Sequence, residues 1–224
     1  MARFVSAGVL FLSIIFTLGC GGSGSGSTTQ QLRVVMASAD APAADILING
    51  SEVATSLLYR NATGYIPVTT HPQRLQVVEV SNSSSLLQQT ITVPSGADQT
   101  LLVTGPVSHL QGVVLTDGAK TQGTSAGQVR IVNASPTMGP ADVYITSGGG
   151  FSGSTPVAKN LAFGQSTGYQ VEAIGNYNVF LTAPGTSNVL LNTGVLALTQ
   201  SQLQTVVALD AVGGGFTYIV LTDQ

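Results

Sequence analysis

Short runs of alternating apolar and polar residues, broken every eight to twelve positions by Gly, Pro, Ser and Asn, are the dominant pattern from Gln31 onward, and they predict β-strands. In the first run Leu32, Val34 and Met36 alternate with Arg33, Val35 and Ala37. Ile46 and Ile48 supply the apolar face of the next strand, and Asn49-Gly50 after them is a pair that tolerates positive φ at both positions, as a two-residue hairpin requires. No amphipathic helical stretch competes with these runs.

The pattern occurs twice. LRVVMASADAPAADILIN at 32–49 aligns with VRIVNASPTMGPADVYIT at 129–146, which superposes Arg33 on Arg130, Ser38 on Ser135 and Asp45 on Asp142. TGYIPV at 63–68 then matches TGYQVE at 167–172, LQVVEV at 75–80 matches YNVFLT at 177–182, and GVVLTD at 112–117 matches YIVLTD at 218–223. Order is kept throughout, and the offset first grows at SGGGFSGS, 147–154, which lengthens a hairpin that Asn49-Gly50 closes tightly in the first copy. About seven strands per copy predict an all-β chain of two tandem immunoglobulin-like antiparallel β-sandwich domains, at 31–117 and 128–224, joined by a linker at 118–127. Each copy is then expected to fold when expressed alone.

The first thirty residues follow a different pattern. Arg3 precedes an apolar run from Phe4 to Leu18 that would span about 22 Å as a helix, short of a hydrocarbon core of roughly 30 Å, so 1–19 reads as a signal peptide. Gly19-Cys20 resembles the bacterial lipoprotein signal, in which a small residue precedes a cysteine that receives diacylglycerol and becomes the new N-terminus; Thr17 and Leu18 depart from the usual residues upstream. The resemblance implies lipid attachment at Cys20, and several acyl chains would hold the protein stably on a membrane. Gly21 after the cysteine implies sorting to the outer membrane. The tract from 20 to 30 reads as a Gly/Ser-rich tether with an end-to-end distance of about 18 Å.

Composition agrees with an exported protein. Charged residues are only 8% of the chain, its seven Lys and Arg are scattered, and a nucleic-acid partner therefore has no electrostatic basis. Cys20 is the only cysteine, so no disulfide can form within the chain.

The repeated segments resemble the bacterial and archaeal domain of unknown function 4397. Its members open with a pattern like VRVVHASPDAPAVDVYVNG, matched here by LRVVMASADAPAADILING and VRIVNASPTMGPADVYITSG, with Gly64-Tyr65 and Gly168-Tyr169 as the later Gly-Tyr pair. Both copies replace the family's common histidine, with Met36 and Asn133. The resemblance implies a β-sandwich and no established activity.

Candidate chemistry is sparse. His71 and His109 are the two histidines, both in the first copy and without counterparts in the second, so they read as loop residues and no repeated catalytic unit exists. No metal-ligand spacing, phosphate-binding loop or nucleophile elbow occurs, and no catalytic residue, metal or cofactor is expected. Arg33 with Asp45, and Arg130 with Asp142, form the one polar constellation in both copies: a ligand-facing ion pair, or a cross-strand pair or turn anchor in the first hairpin. Tyr65 and Tyr169 could stack on a sugar or be buried at a sandwich corner. Phe151, in the lengthened loop, marks a place for a ligand.

These features leave two readings: a non-catalytic envelope lipoprotein acting as a structural or adhesive surface module, or a glycan- or small-ligand-binding lipoprotein with its site in the sandwich-end loops. The partners would be the membrane through the lipid anchor, and envelope polysaccharide or surface proteins.

Overall fold

The computed structural model describes residues 30–118 and 125–224. The expected signal peptide, Cys20 and most of the expected tether lie outside the described residues, as does most of the expected linker.

Eight strands form the first repeat: β1 (Gln30–Met36), β2 (Ala44–Ile48), β3 (Ser51–Leu57), β4 (Ile66–Val68), β5 (Gln73–Glu79), β6 (Ser85–Ile91), β7 (Asp98–Thr104) and β8 (Gln111–Thr116). The second runs through β9 (Ala126–Asn133), β10 (Ala141–Thr146), β11 (Ala158–Leu161), β12 (Ser166–Ala173), β13 (Gly175–Thr182), β14 (Val189–Leu198), β15 (Leu203–Asp210) and β16 (Phe216–Thr222). β9 thus begins inside the tract expected to be linker. The one helical element described is a 3₁₀ turn at Val107–His109.

Each repeat is a sandwich of two four-stranded sheets, in the order β4-β1-β7-β8 over β3-β2-β5-β6, and identically β12-β9-β15-β16 over β11-β10-β13-β14. Most pairings are antiparallel, but β1 runs parallel to β7, and β9 to β15. This is the expected all-β, tandem sandwich, with one parallel pair in each copy. Asn49 (φ 52°) and Gly50 (φ 83°) make the tight β2–β3 turn that the sequence predicts.

The sheet register corrects one stretch of the repeat alignment. Asp45 lies opposite Val78 and Asp142 opposite Thr182, so Leu75 superposes on Val179 and Val77 on Leu181. The sequence alignment had placed Leu75 on Tyr177, two residues away. A slip of two preserves the inward and outward alternation, so hydrophobic pattern alone does not detect it.

Leu32, Val34 and Met36 enter the core of the first sandwich with Ile46, Leu75, Val77 and Leu101, and Ile131, Val143, Val179, Leu181 and Val206 do the same in the second. The opposite face of β1 is buried as well. Val35 and Ala37 join Leu102 and Leu115 in a third cluster, completed by Val132, Ala134, Val207, Leu209, Ile219 and Leu221 from the second repeat. The four sheets therefore stack in layers, with the two sheets containing β1 and β9 facing each other between the sandwiches. This explains why LRVVM and TLLVT read as nearly continuous apolar runs: their strands are covered on both faces.

Candidate functional site

On the face that β1 turns toward the other repeat, Arg33 precedes the apolar Val35 and Ala37 and is itself only 4% exposed. A guanidinium so buried must be paired and hydrogen-bonded to be tolerated. Its Nε and Nη2 donate to Thr100 Oγ1 at 3.0 and 2.8 Å on the parallel neighbour β7, and Nη1 donates to the Thr222 carbonyl at 2.9 Å in the other repeat. Nη2 is also ion-paired with Asp223 of that repeat.

Arg130 repeats this arrangement in mirror roles. It donates to Thr205 Oγ1 (3.0 Å), to the Thr116 carbonyl (2.8 Å) and to Asp117 Oδ1 (2.7 Å), and its Nη2 lies 3.6 Å from Asp223 Oδ2. Each carboxylate is fixed from within its own repeat. Thr100 and Tyr65 hydroxyls donate to Asp117 Oδ2 at 2.7 and 2.8 Å; Thr205 and Tyr169 donate to Asp223 Oδ2 at 2.5 and 2.6 Å. The arginines lie over the tyrosine rings, Arg33 at 4.7 Å from Tyr65 and Arg130 at 4.6 Å from Tyr169. Two guanidiniums and two carboxylates form a compact reciprocal clasp, each arginine reaching across to the closing aspartate of the other repeat.

Burial, reinforced by the hydrogen bond to Asp223, pushes the Tyr169 phenol up to about 12. Burial and the Asp117 charge raise Tyr65 as well. Each ring has one face under an arginine and its hydroxyl bound to a junction aspartate, so both tyrosines serve the junction.

Neither arginine meets the aspartate that the sequence paired it with, because β1 and β2 belong to different sheets, as do β9 and β10. Asp45 instead accepts the Ser56 amide at 2.9 Å, holding a bulge at φ 49°. Asp142 accepts the amide of Asn160 (φ 53°) at 2.9 Å and that of Gly185 at 2.8 Å. Both are hairpin anchors. Thr100, Thr205, Asp117 and Asp223 were not singled out in the sequence, although the repeated LTD ending carried the two aspartates.

A second feature exists only in the second repeat. Tyr144 on β10 and Phe180 on β13 are register partners on the outer face of their sheet, where the first repeat has Leu47 and Gln76. The loop after β10 folds back so that Phe151 packs on both, with ring centroids 4.8 Å from Tyr144 and 5.0 Å from Phe180. Phe180 is thereby buried, while Phe151 stays half-buried and lines a cleft of about 720 Å3. Its walls include Asp142, Ser152, Ser154, Lys159 and Ser187.

His71 and His109 are both exposed. Among the described residues no group of three or more His, Cys, Asp or Glu is placed to hold a metal ion.

No curated protein matches the chain. Among solved structures, the family 26 carbohydrate-binding module CBMbc of Amy13K from Eubacterium rectale, crystallised with maltoheptaose, is 9% identical over 85% of this chain and 96% of that one, with a TM-score of 0.30, a likeness too weak to bear on fold or ligand. A family model matches at 30–144 and again at 127–224. Together with the two superposable sandwiches, this shows that the chain belongs to the family described as Domain of unknown function (DUF4397), which it carries as a tandem pair.

Proposed function

We propose that the protein is a non-catalytic module of the bacterial cell envelope, tethered to the outer membrane through acylated Cys20 and presenting the two clasped sandwiches as one stiff surface unit. The observation that carries this reading is the reciprocal arginine clasp, which gives a buried, bonded junction where loosely strung domains would have a polar, mobile one. Gln31 Nε2 donates to Gln224 Oε1 at 3.0 Å, so the C-terminal residue sits beside the start of β1. A tether attached there leaves the opposite end, with Asp40, Gly105 and Asp210, pointing away from the membrane. Cys20→Ala is expected to move the protein from the membrane fraction to the soluble one; unchanged membrane association would refute the tether.

A second reading, that the module binds glycan, is favoured by the half-buried Phe151 at the cleft in the second repeat. An aromatic face flanked by hydroxyls suits a sugar ring, and the loop that carries it is not needed to close the hairpin, since Asn49-Gly50 does so in two residues. Retention of the chain on envelope polysaccharide, lost in Phe151→Ala, tests it; equal retention of both would contradict it.

A further inference from the structure

Resting on the glycan-binding reading, we infer that the cleft of the second repeat takes an acidic sugar, its ring against Phe151 and Tyr144 and its carboxylate against Lys159. The aromatic trio supplies one half of the site. Phe151 is packed against Tyr144 and Phe180, so its remaining exposed surface is held in place before a ligand arrives. Tyr144 makes no side-chain hydrogen bond among the described residues, and the hydroxyls of Ser152, Ser154 and Ser187 line the same space.

Charge supplies the other half. Two ionisable side chains other than tyrosine line the cleft, Asp142 and Lys159. Both oxygens of Asp142 are already engaged by backbone amides, and its side chain is buried. Lys159, exposed on β11, takes part in none of the ion pairs among the described residues. The other described cations are committed: Arg33 and Arg130 to the clasp, Arg60 to the Tyr218 carbonyl, Arg74 to Gln76. One uncommitted ammonium beside an aromatic platform fits a ring that carries a single negative charge.

The test is titration calorimetry of the full chain in detergent against oligomers of galacturonic acid and of hyaluronate, each beside its carboxyl-reduced neutral form. The acidic forms should bind more tightly, with an affinity that falls as salt rises. Lys159→Met should weaken them by roughly tenfold, as loss of a charge-assisted contact does, and leave the neutral forms unaffected. Phe151→Ala should remove binding of both. Lys159 is exposed, so its variant should keep the thermal stability of the parent chain. Equal binding of acidic and neutral forms, unmoved by Lys159→Met, would overturn the acidic-sugar assignment and leave glycan binding standing. Binding of neither form would overturn both.

Discussion

Replacing Arg33 by alanine should lower the stability of both repeats together. The substitution removes two bonds to Thr100, one to the Thr222 carbonyl, the ion pair with Asp223 and the stacking on Tyr65. Breaking a buried ion pair from one side costs about 3–5 kcal/mol, because the surviving charge is left without its partner. Asp223 keeps the Thr205 and Tyr169 hydroxyls, and Arg130 stands 3.6 Å away, so the lower end applies, about 3 kcal/mol. For a unit of this size a loss of 3 kcal/mol lowers Tm by roughly 6–12 °C. Arg130→Ala should cost at least as much, since that guanidinium faces both carboxylates. Scanning calorimetry with urea unfolding, followed by two probes, reads the effect, and a double-mutant cycle with Asp223→Ala isolates the cross-repeat coupling. Since Arg33 belongs to the first repeat and Asp223 to the second, one shared transition should move as a whole. A loss below about 1 kcal/mol, the scale of an exposed pair, or two transitions of which only one shifts, would refute the reasoning.

Three further outcomes are expected. Above pH 10 the unfolded chain loses its phenolic protons while Tyr169 holds its own to about 12, so stability contributed by that group is complete below pH 10 and lost as pH climbs toward 12; Tyr169→Phe should flatten this slope in urea titrations, and an unchanged slope would count against it. Gly118→Ala should destabilise by about 1–3 kcal/mol, because its Cβ would lie 2.9 Å from the Tyr169 ring and push it off Arg130; a neutral effect on Tm would contradict this. Asp142→Ala should cost about 1–3 kcal/mol in denaturant unfolding by stranding the Asn160 and Gly185 amides, and parent-like stability would show that they find other acceptors.

The strands, the Asn49-Gly50 hairpin and the duplication were legible in the sequence because each rests on a local signal: period-two alternation, a turn pair, or a recurring string. The clasp was not. Arg33 and Asp223 are 190 residues apart, and the only sign in the strand pattern that β1 is covered on both faces is the nearly continuous apolar run LRVVM, which Arg33 interrupts. Asp45 is near Arg33 in sequence, but β1 and β2 sit in different sheets, which keeps the two apart. The repeated LTD ending held the missing clue: an aspartate kept at the close of an otherwise apolar strand is buried in both copies. Phe151 was visible as the odd residue in a Gly/Ser loop, but its bracing by Tyr144 and Phe180 depended on a cross-strand register that the two-residue slip in the alignment concealed.

Each sandwich turns an apolar face and a buried arginine toward the other, which bears on the expectation that either half folds alone. The most direct test of the clasp is to introduce a protease site between residues 119 and 124 of the full chain, cut the folded protein, and pass it through a sizing column. The two fragments should co-elute at the size of the intact chain and separate when Arg33 and Arg130 are both replaced by alanine. Separation of the cut but otherwise unaltered protein into independent halves would contradict the account.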